Sequence, residues 1–342
     1  MAVWLVRAGS QGENEQLALD EKIVVIGWSQ LPDLKTIESR DELKELLSRK
    51  FPDSKVMRIA NWTGQLWAFR SRIQEGDLVV LPFKKTSAIA IGRVVGDYQY
   101  RADLAARDAC HTRPVEWIRD DIPRSAFDAD ILYSFGAFLT VCQISRNDAE
   151  ERIRAFLSGS APMSHVEITA EEVYEAVEEQ APPDLAQHAR DLIQTHISRK
   201  FRGHDLARLV TALLEAQGYV TETSPPGVDG GVDVIAGKGP MGFDPPRIAV
   251  QVKSSDNPVD VGVLRELQGV LKGFGAEHGL LVSWGGFKQS VIRDARKLFF
   301  EIRLWDAGDI VDALMESYEE LPADLQAEIP LKRIWTLVPN DE

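Results

Sequence analysis

The chain has 342 residues, 44% of them apolar and 27% charged, with a net charge of −14 and two cysteines. That length suits two or three domains, each with its own core. No apolar run nears the ~20 residues that span a bilayer, the N-terminus has no basic leader, and Cys110 and Cys142 lack the spacing of a zinc site, so a cytoplasmic protein with no membrane partner is expected.

The negative sum does not exclude nucleic acid, because the charge is unevenly spread. Lys50 to Arg119 holds 12 basic and 7 acidic residues. Glu167 to Asp191 holds 8 acids and 1 base, and Asp306 to the end holds 10 acids and 2 bases. The basic balance lies in the N-terminal region, where Arg70, Arg72, Lys84, Lys85 and Arg93 could meet phosphate or simply form a solvated face.

In chain order, residues 1–150 predict short strands at "AVWLVRA", "KIVVIGW", "GDLVVLPF", "SAIAIGRVVGDYQY", "RPVEWI" and "FLTVCQI", each β-branched or aromatic and set off by turn residues. A helix is predicted over 40–50, with leucines at 43, 46 and 47, and another over "WTGQLWAFRSRI". Many short strands with few helices imply a closed or nearly closed barrel. Residues 151–200 read as acidic helices broken at Pro182-Pro183. One face there carries Leu185, Ala189, Leu192, Ile193, His196 and Ile197, either a dimer contact or a plain solvated hairpin. From 201 a helix ending at Gly218 is followed by three strands, a helix, a strand, a helix and a strand. That alternation predicts a mixed sheet with helices on both faces.

The stretch "GVDGGVDVIAG…IAVQVKSS" concentrates the chemistry. Residues i and i+2 of a strand project to one face, so Gln251 and Lys253 point together. Asp233 opens the preceding strand and reaches the same point if the two pair. Phosphodiester cleavage needs an activated water and relief of charge at phosphorus, which a carboxylate-bound Mg²⁺ and a lysine can provide. Mg²⁺ takes oxygen ligands and keeps several waters, so Asp233, Gln251 and the Val252 carbonyl could suffice; Mn²⁺ is a possible substitute. Alone, the motif is weak, since Asp-Gly-Gly is a common turn. Asp229 reads as a turn or outer group. Trp284, after a buried strand with Ser283, reads as packing or a DNA-side surface.

In that order and spacing, "DGGVDVIA…IAVQVKS…VLRELQGVL…GLLVSWGGF" resembles the Mrr-type branch of PD-(D/E)xK restriction endonucleases over about 201–310. The resemblance implies a nuclease in which Asp233 binds metal, Gln251 stands at the second metal-side position and Lys253 is the catalytic lysine. Where relatives carry a glutamate on the first helix this chain has Ala207, leaving Asp205 and His204 as weak substitutes.

"WLVRAG…IVVIGWSQL", "GDLVVLP…SAIAIGRVVGDY" and "RPVEWIRDDIPRSAF" resemble the EVE group of PUA-like domains over about 1–150. That implies a reader of modified bases, with Trp28 and Trp117 as aromatic walls and Ser29 and Ser10 as edge contacts. The plainer reading puts both tryptophans in the core, as expected for Trp4, Trp62 and Trp67. The whole is then an α+β and α/β multidomain chain: a PUA-like (EVE-like) β-barrel at 1–150, a helical connector at 151–200, a PD-(D/E)xK mixed-sheet domain at 201–315 and an acidic tail at 316–342. The expected function is modification-dependent restriction of double-stranded DNA by a homodimer. The alternatives are a defence or repair nuclease indifferent to modification, and a catalytically dead binding module.

Overall fold

The computed structural model describes residues 2–136, 139–145, 147–159, 184–224 and 231–335. They form two compact units, one of residues 1–120 and 127–188, the other of 121–126 and 189–335. Most of the acidic stretch before Pro183, and the last seven residues, lie outside the described residues. Among the described residues no helix is long and apolar enough to cross a membrane.

The N-terminal unit is built on β1 (Val3–Val6), β2 (Ile23–Ile26), β3 (Leu78–Pro82), β4 (Ala88–Val94), β5 (Gln99–Tyr100), β6 (His111–Pro123) and β7 (Val141–Ile144). Their order is β2-β6-β4-β3-β1-β7, with β5 beside β6. β1 and β2 stand four places apart in that order yet approach each other, so the sheet curls. The pairing path nevertheless ends at β2 and β7, so the barrel expected as closed or nearly closed is a curled half-barrel. The reason is packing by helices. Leu43 and Leu47 of α2 (Arg40–Lys50) and Ile59 and Leu66 of α3 (Val56–Trp67) are buried in one core with Trp4, Val24, Val79, Val94 and Val115, so helices cover a face that further strands would otherwise close. α1 (Glu15–Asp20) covers other strand residues, with Ala18 against Ile23, Val25, Leu81 and Ala90. α3 begins six residues before the predicted start and ends in a π turn, Ala68–Arg72. α4 (Ala129–Phe135) and α5 (Ala149–Leu157) follow.

The C-terminal unit has a five-stranded sheet, order β12-β11-β10-β9-β8. Its strands are β8 (Val220–Thr223), β9 (Val234–Lys238), β10 (Asp244–Lys253), β11 (His278–Ser283) and β12 (Ile302–Trp305). β8, β9 and β10 run antiparallel in succession, whereas β10, β11 and β12 are parallel. α6 (Leu185–Lys200), α7 (His204–Ala216) and α10 (Ala307–Glu316) share one core with Val234, Val250 and Val282. α8 (Val261–Val270) and α9 (Gln289–Lys297) share the other with Ala249 and Leu281. Helices on both faces are what the alternation predicts. α7 stops where Gly218 takes φ +80°, and Tyr219 N donates back to Leu214 O, a left-handed cap suited to glycine.

On α6, Ile193 and Ile197 pack into the unit's own core while Leu185 and Leu192 are about half exposed. The residues read as an acidic tail carry α11 (Ala323–Glu328), with Leu321, Leu325 and Ile329 buried in the same core. Arg124 and Asp191 meet as a bidentate pair, both oxygens at 2.7 Å, with side chains 3% and 1% exposed. Removing one partner leaves a desolvated charge, so Asp191→Ala or Arg124→Ala should cost about 3–5 kcal/mol in urea unfolding, and the double substitution less than the sum. In the N-terminal unit, burial lifts the Glu15 carboxyl from 4.5 to about 7, against the hydrogen bond from Lys84 N at 2.6 Å. A raised folded value stabilises below pH 4.5 and loses that contribution as pH rises through 7. Glu15→Gln should therefore flatten the fall in melting temperature between pH 4.5 and 7.

Candidate active site

β10 shows the alternation that the site needs. Val250 and Val252 pack toward α7 and α10, and Ala249 packs toward α8, so Gln251 and Lys253 share the α8 side. Gln251 is 3% exposed and, among the described residues, its Oε1 has no hydrogen-bond partner. Lys253 is half-buried, with no ion-pair partner among the described residues. It pairs with Ser283 in the parallel register, and Trp284 N donates to Lys253 O at 2.9 Å.

Asp233 is held from both sides of Gln251. Its N–H donates to Val250 O at 2.8 Å, and its Oδ2 accepts from Val252 N at 2.7 Å. Ser224 N donates to Asp233 O at 2.9 Å, tying in β8. The carboxylate therefore sits at the residues flanking Gln251, fixed by backbone groups that no side-chain change removes. Gly231, φ +83°, lies against the same amide: a Cβ there would meet Gln251 Nε2 at 3.8 Å. Beyond Lys253 the chain is held by another glycine. A Cβ on Gly285 would come within 2.6 Å of Asn257 O, so the loops leaving β10 and β11 touch backbone to backbone.

The residues fit a divalent cation with oxygen ligands. A buried amide oxygen without a donor is costly unless something electropositive meets it, and Asp233 is hydrogen-bonded to the peptide groups on either side of Gln251. Val252, expected to lend its carbonyl, uses its N–H to hold Asp233. Among the described residues no cluster of three or more His, Cys, Asp or Glu exists, and Asp233 is the carboxylate bonded to the residues flanking Gln251. Asp229 lies outside the described residues.

His204 and Asp205 are exposed at the start of α7 and part company. Asp205 pairs with Arg208 at 3.7 Å. His204 lines a cleft of about 420 Å³ with Arg208, Thr211, Glu215, Ser224 and Asp233. The sequence reading missed Thr211 and Glu215. Their signal was a polar stripe at 204, 208, 211 and 215, one helix face; Glu215 accepts from Thr221 Oγ1 at 2.5 Å. Trp284 is 3% exposed and belongs to the core.

In the N-terminal unit Trp28 is half-buried with φ +66°, a conformation costly for an aromatic residue. Hydrogen bonds hold it there. Burial keeps His111 below the ordinary imidazole range. The Trp28 carbonyl can only accept, so His111 Nε2 carries the proton and donates to it at 3.1 Å. Nδ1 accepts from Tyr98 O–H at 2.7 Å. The Trp28 ring stands edge-on to Trp62, centroids 6.4 Å apart. Trp117 is half-buried and its Nε1 donates to Ala18 O at 3.0 Å, tying it to α1. Ser29 Oγ is buried without a partner among the described residues, and Ser10 is exposed in the turn before α1. Trp4 is a core residue, its Nε1 donating to Asp77 at 3.0 Å. Lys84 pairs with Asp184 and Arg72 bonds Gln143, whereas Lys85 and Arg93 are exposed.

Residues 198–314 match the Mrr_cat family, described as restriction endonuclease. Residues 4–133 match a domain of unknown function (DUF8426). No curated protein matches the chain. Two solved structures are similar. The DNA modification-dependent restriction endonuclease AspBHI is 17% identical at TM-score 0.33, over 77% of this chain and 70% of its own. The MspJI restriction endonuclease in complex with a 27-mer oligonucleotide is 14% identical at TM-score 0.32, over 96% of this chain and 80% of its own.

If Gln251 Oε1 is a ligand, its charge state sets affinity. Gln251→Glu should tighten Mg²⁺ or Mn²⁺ binding at least ~10-fold by calorimetric titration without DNA, and Gln251→Leu should weaken it. Unchanged affinity in both would remove Gln251 from the site.

Proposed function

Given a restriction endonuclease domain at residues 198–314, we propose that this chain is a modification-dependent, type IV-like DNA restriction endonuclease. The observation that carries the nuclease half is Gln251 Oε1, without a partner among the described residues, on a residue bracketed by the two hydrogen bonds of Asp233 and two positions from Lys253, whose ammonium has no ion pair among those residues.

Asp233 and Gln251 would hold Mg²⁺, with the Val252 carbonyl as a further oxygen. When bound, the ion supplies charge at the phosphate and a more acidic water. With a single side-chain carboxylate, the phosphate itself contributes to holding it. Among the described residues Lys253 has no competing ion pair, so its ammonium is available to orient the attacking water or to stabilise a non-bridging phosphate oxygen. Asp233 keeps its position whether or not metal is bound, because two backbone contacts hold it. Cutting both strands takes two such sites, so the working form is a homodimer or a pair assembled on duplex DNA.

The N-terminal unit is the reader in this proposal. Flipping a base costs a few kcal/mol, and stacking on an aromatic face returns ~1–3 kcal/mol. The left-handed backbone of Trp28 beside an unsatisfied Ser29 hydroxyl supports a pocket there. A methylated base adds apolar area for Trp28. Trp117 contributes from its anchor on α1.

Duplexes carrying 5-methylcytosine, N6-methyladenine or neither, digested with Mg²⁺, test the reading. Only a modified duplex should be cut, and Lys253→Ala should lower the rate at least ~10³-fold with binding intact. Equal cutting of all duplexes would identify a nuclease indifferent to modification. Binding without cutting by the wild type, in Mg²⁺ and in Mn²⁺, would identify a binding module.

A further inference from the structure

Beside Trp28 the structure holds a carboxylate that the reading above leaves unused. Asp108 ends a short 3₁₀ segment in the left-handed region, φ +49°. Its Oδ1 accepts from Ser29 N at 2.7 Å. Its Oδ2 lies where a Cβ on Gly27 would come within 2.7 Å, so Gly27 makes room for it. Among the described residues Oδ2 has no hydrogen-bond partner, and the side chain is exposed. Three neighbouring features thus converge: Gly27 clears space, Trp28 accepts a strained backbone, and Ser29 buries a hydroxyl with no partner.

We propose that Asp108 determines which bases the N-terminal pocket accepts, its free oxygen taking the exocyclic amine of a flipped cytosine or adenine. This rests on the pocket reading above. An ionised carboxylate only accepts hydrogen bonds. The amines of cytosine (N4) and adenine (N6) donate; the O4 of thymine and the O6 of hypoxanthine do not. An oxo base at that place sets two acceptors face to face, while the amine satisfies Asp108. The Ser29 hydroxyl can donate to the adjacent ring acceptor, N3 of cytosine or N1 of adenine, relieving its own unmet bond. Methyl groups at ring carbons leave this edge unchanged, and a single N-methyl leaves one N–H.

The test uses the full chain, in EDTA to stop cleavage, and duplexes that differ at one base. One pair carries 5-methylcytosine or thymine opposite guanine, alike in the ring methyl and different at the amine and at N3, an acceptor in the first and an N–H in the second; the mismatched thymine also flips more cheaply, so a preference for 5-methylcytosine is a lower bound. The other carries N6-methyladenine or hypoxanthine. The wild type should prefer the amino member of at least one pair by ~10-fold or more. Asp108→Asn keeps an oxygen for Ser29 N and offers an N–H to an oxo group, so it should abolish or invert the preference. Ser29→Ala should weaken binding of the amino base without inverting it. A wild type with no preference in either pair, or an Asp108→Asn variant with the wild-type ratio, overturns the proposal. The Trp28→Ala variant separates the two ideas. If it loses affinity while Asp108→Asn keeps the ratio, the pocket stands and Asp108 falls. If it binds every duplex as the wild type does, the pocket itself is elsewhere.

Discussion

The geometry of the proposed site depends on how Asp233 is tied to β10. A carboxylate in a turn is ordinarily mobile, and a group that would hold a metal loses much of its use if it wanders by an ångström. Here the residue's own N–H and one carboxylate oxygen are pinned to the peptide groups on either side of Gln251. Everything else in the site inherits that position. The pleat of β10 places Gln251 and Lys253 on one side, and the parallel partner β11 fixes Lys253 at its far end. The helices on each face keep β10 from twisting away. The arrangement is held by peptide geometry, so side chains nearby can vary without moving it.

The order of elements in the C-terminal unit was legible because each element carries a local signal: helical spacing in α7, β-branched runs in β10 and β11, a glycine at the end of α7. The neighbourhood of Asp233 and Gln251 was legible for the same reason, since strand alternation needs no tertiary knowledge. What escaped were relations between distant residues. Glu215 and Thr211 become neighbours of Asp233 only when α7 lies beside the sheet. The apolar residues of α11 are diluted among acids, so composition read them as solvated tail while Leu321, Leu325 and Ile329 enter the core. How far the curled sheet closes was hidden on similar grounds. Strand counting could not see that α2 and α3 would take up the apolar face of the curled sheet.

The N-terminal unit shows a different pattern, in which local rules are broken and the breakage is informative. Tryptophan in the left-handed region contradicts intrinsic preference. It persists because His111, itself held by Tyr98, takes the Trp28 carbonyl, and because Asp108 takes the next N–H. Buried polar groups that are fully satisfied rigidify, and those without a partner are exceptions that call for an explanation. Ser29 Oγ on one unit and Gln251 Oε1 on the other are both of this kind. Sequence could propose Trp28 and Ser29 from a resemblance, but Asp108, 79 positions further along from Ser29, has no local mark.

The Arg124–Asp191 pair bears on how this protein can be divided. Arg124 precedes α4, far ahead in sequence of the helices it joins, yet residues 121–126 belong with the C-terminal unit. A fragment cut at a sequence boundary near 150 or 200 would strand one of two desolvated charges or lose the pair altogether. Gene fusions that exchange the N-terminal unit at such a boundary would inherit that defect. A workable exchange would carry a short segment around Arg124 along with the nuclease, which makes the evolutionary unit of recombination discontinuous in the gene even though it is compact in space.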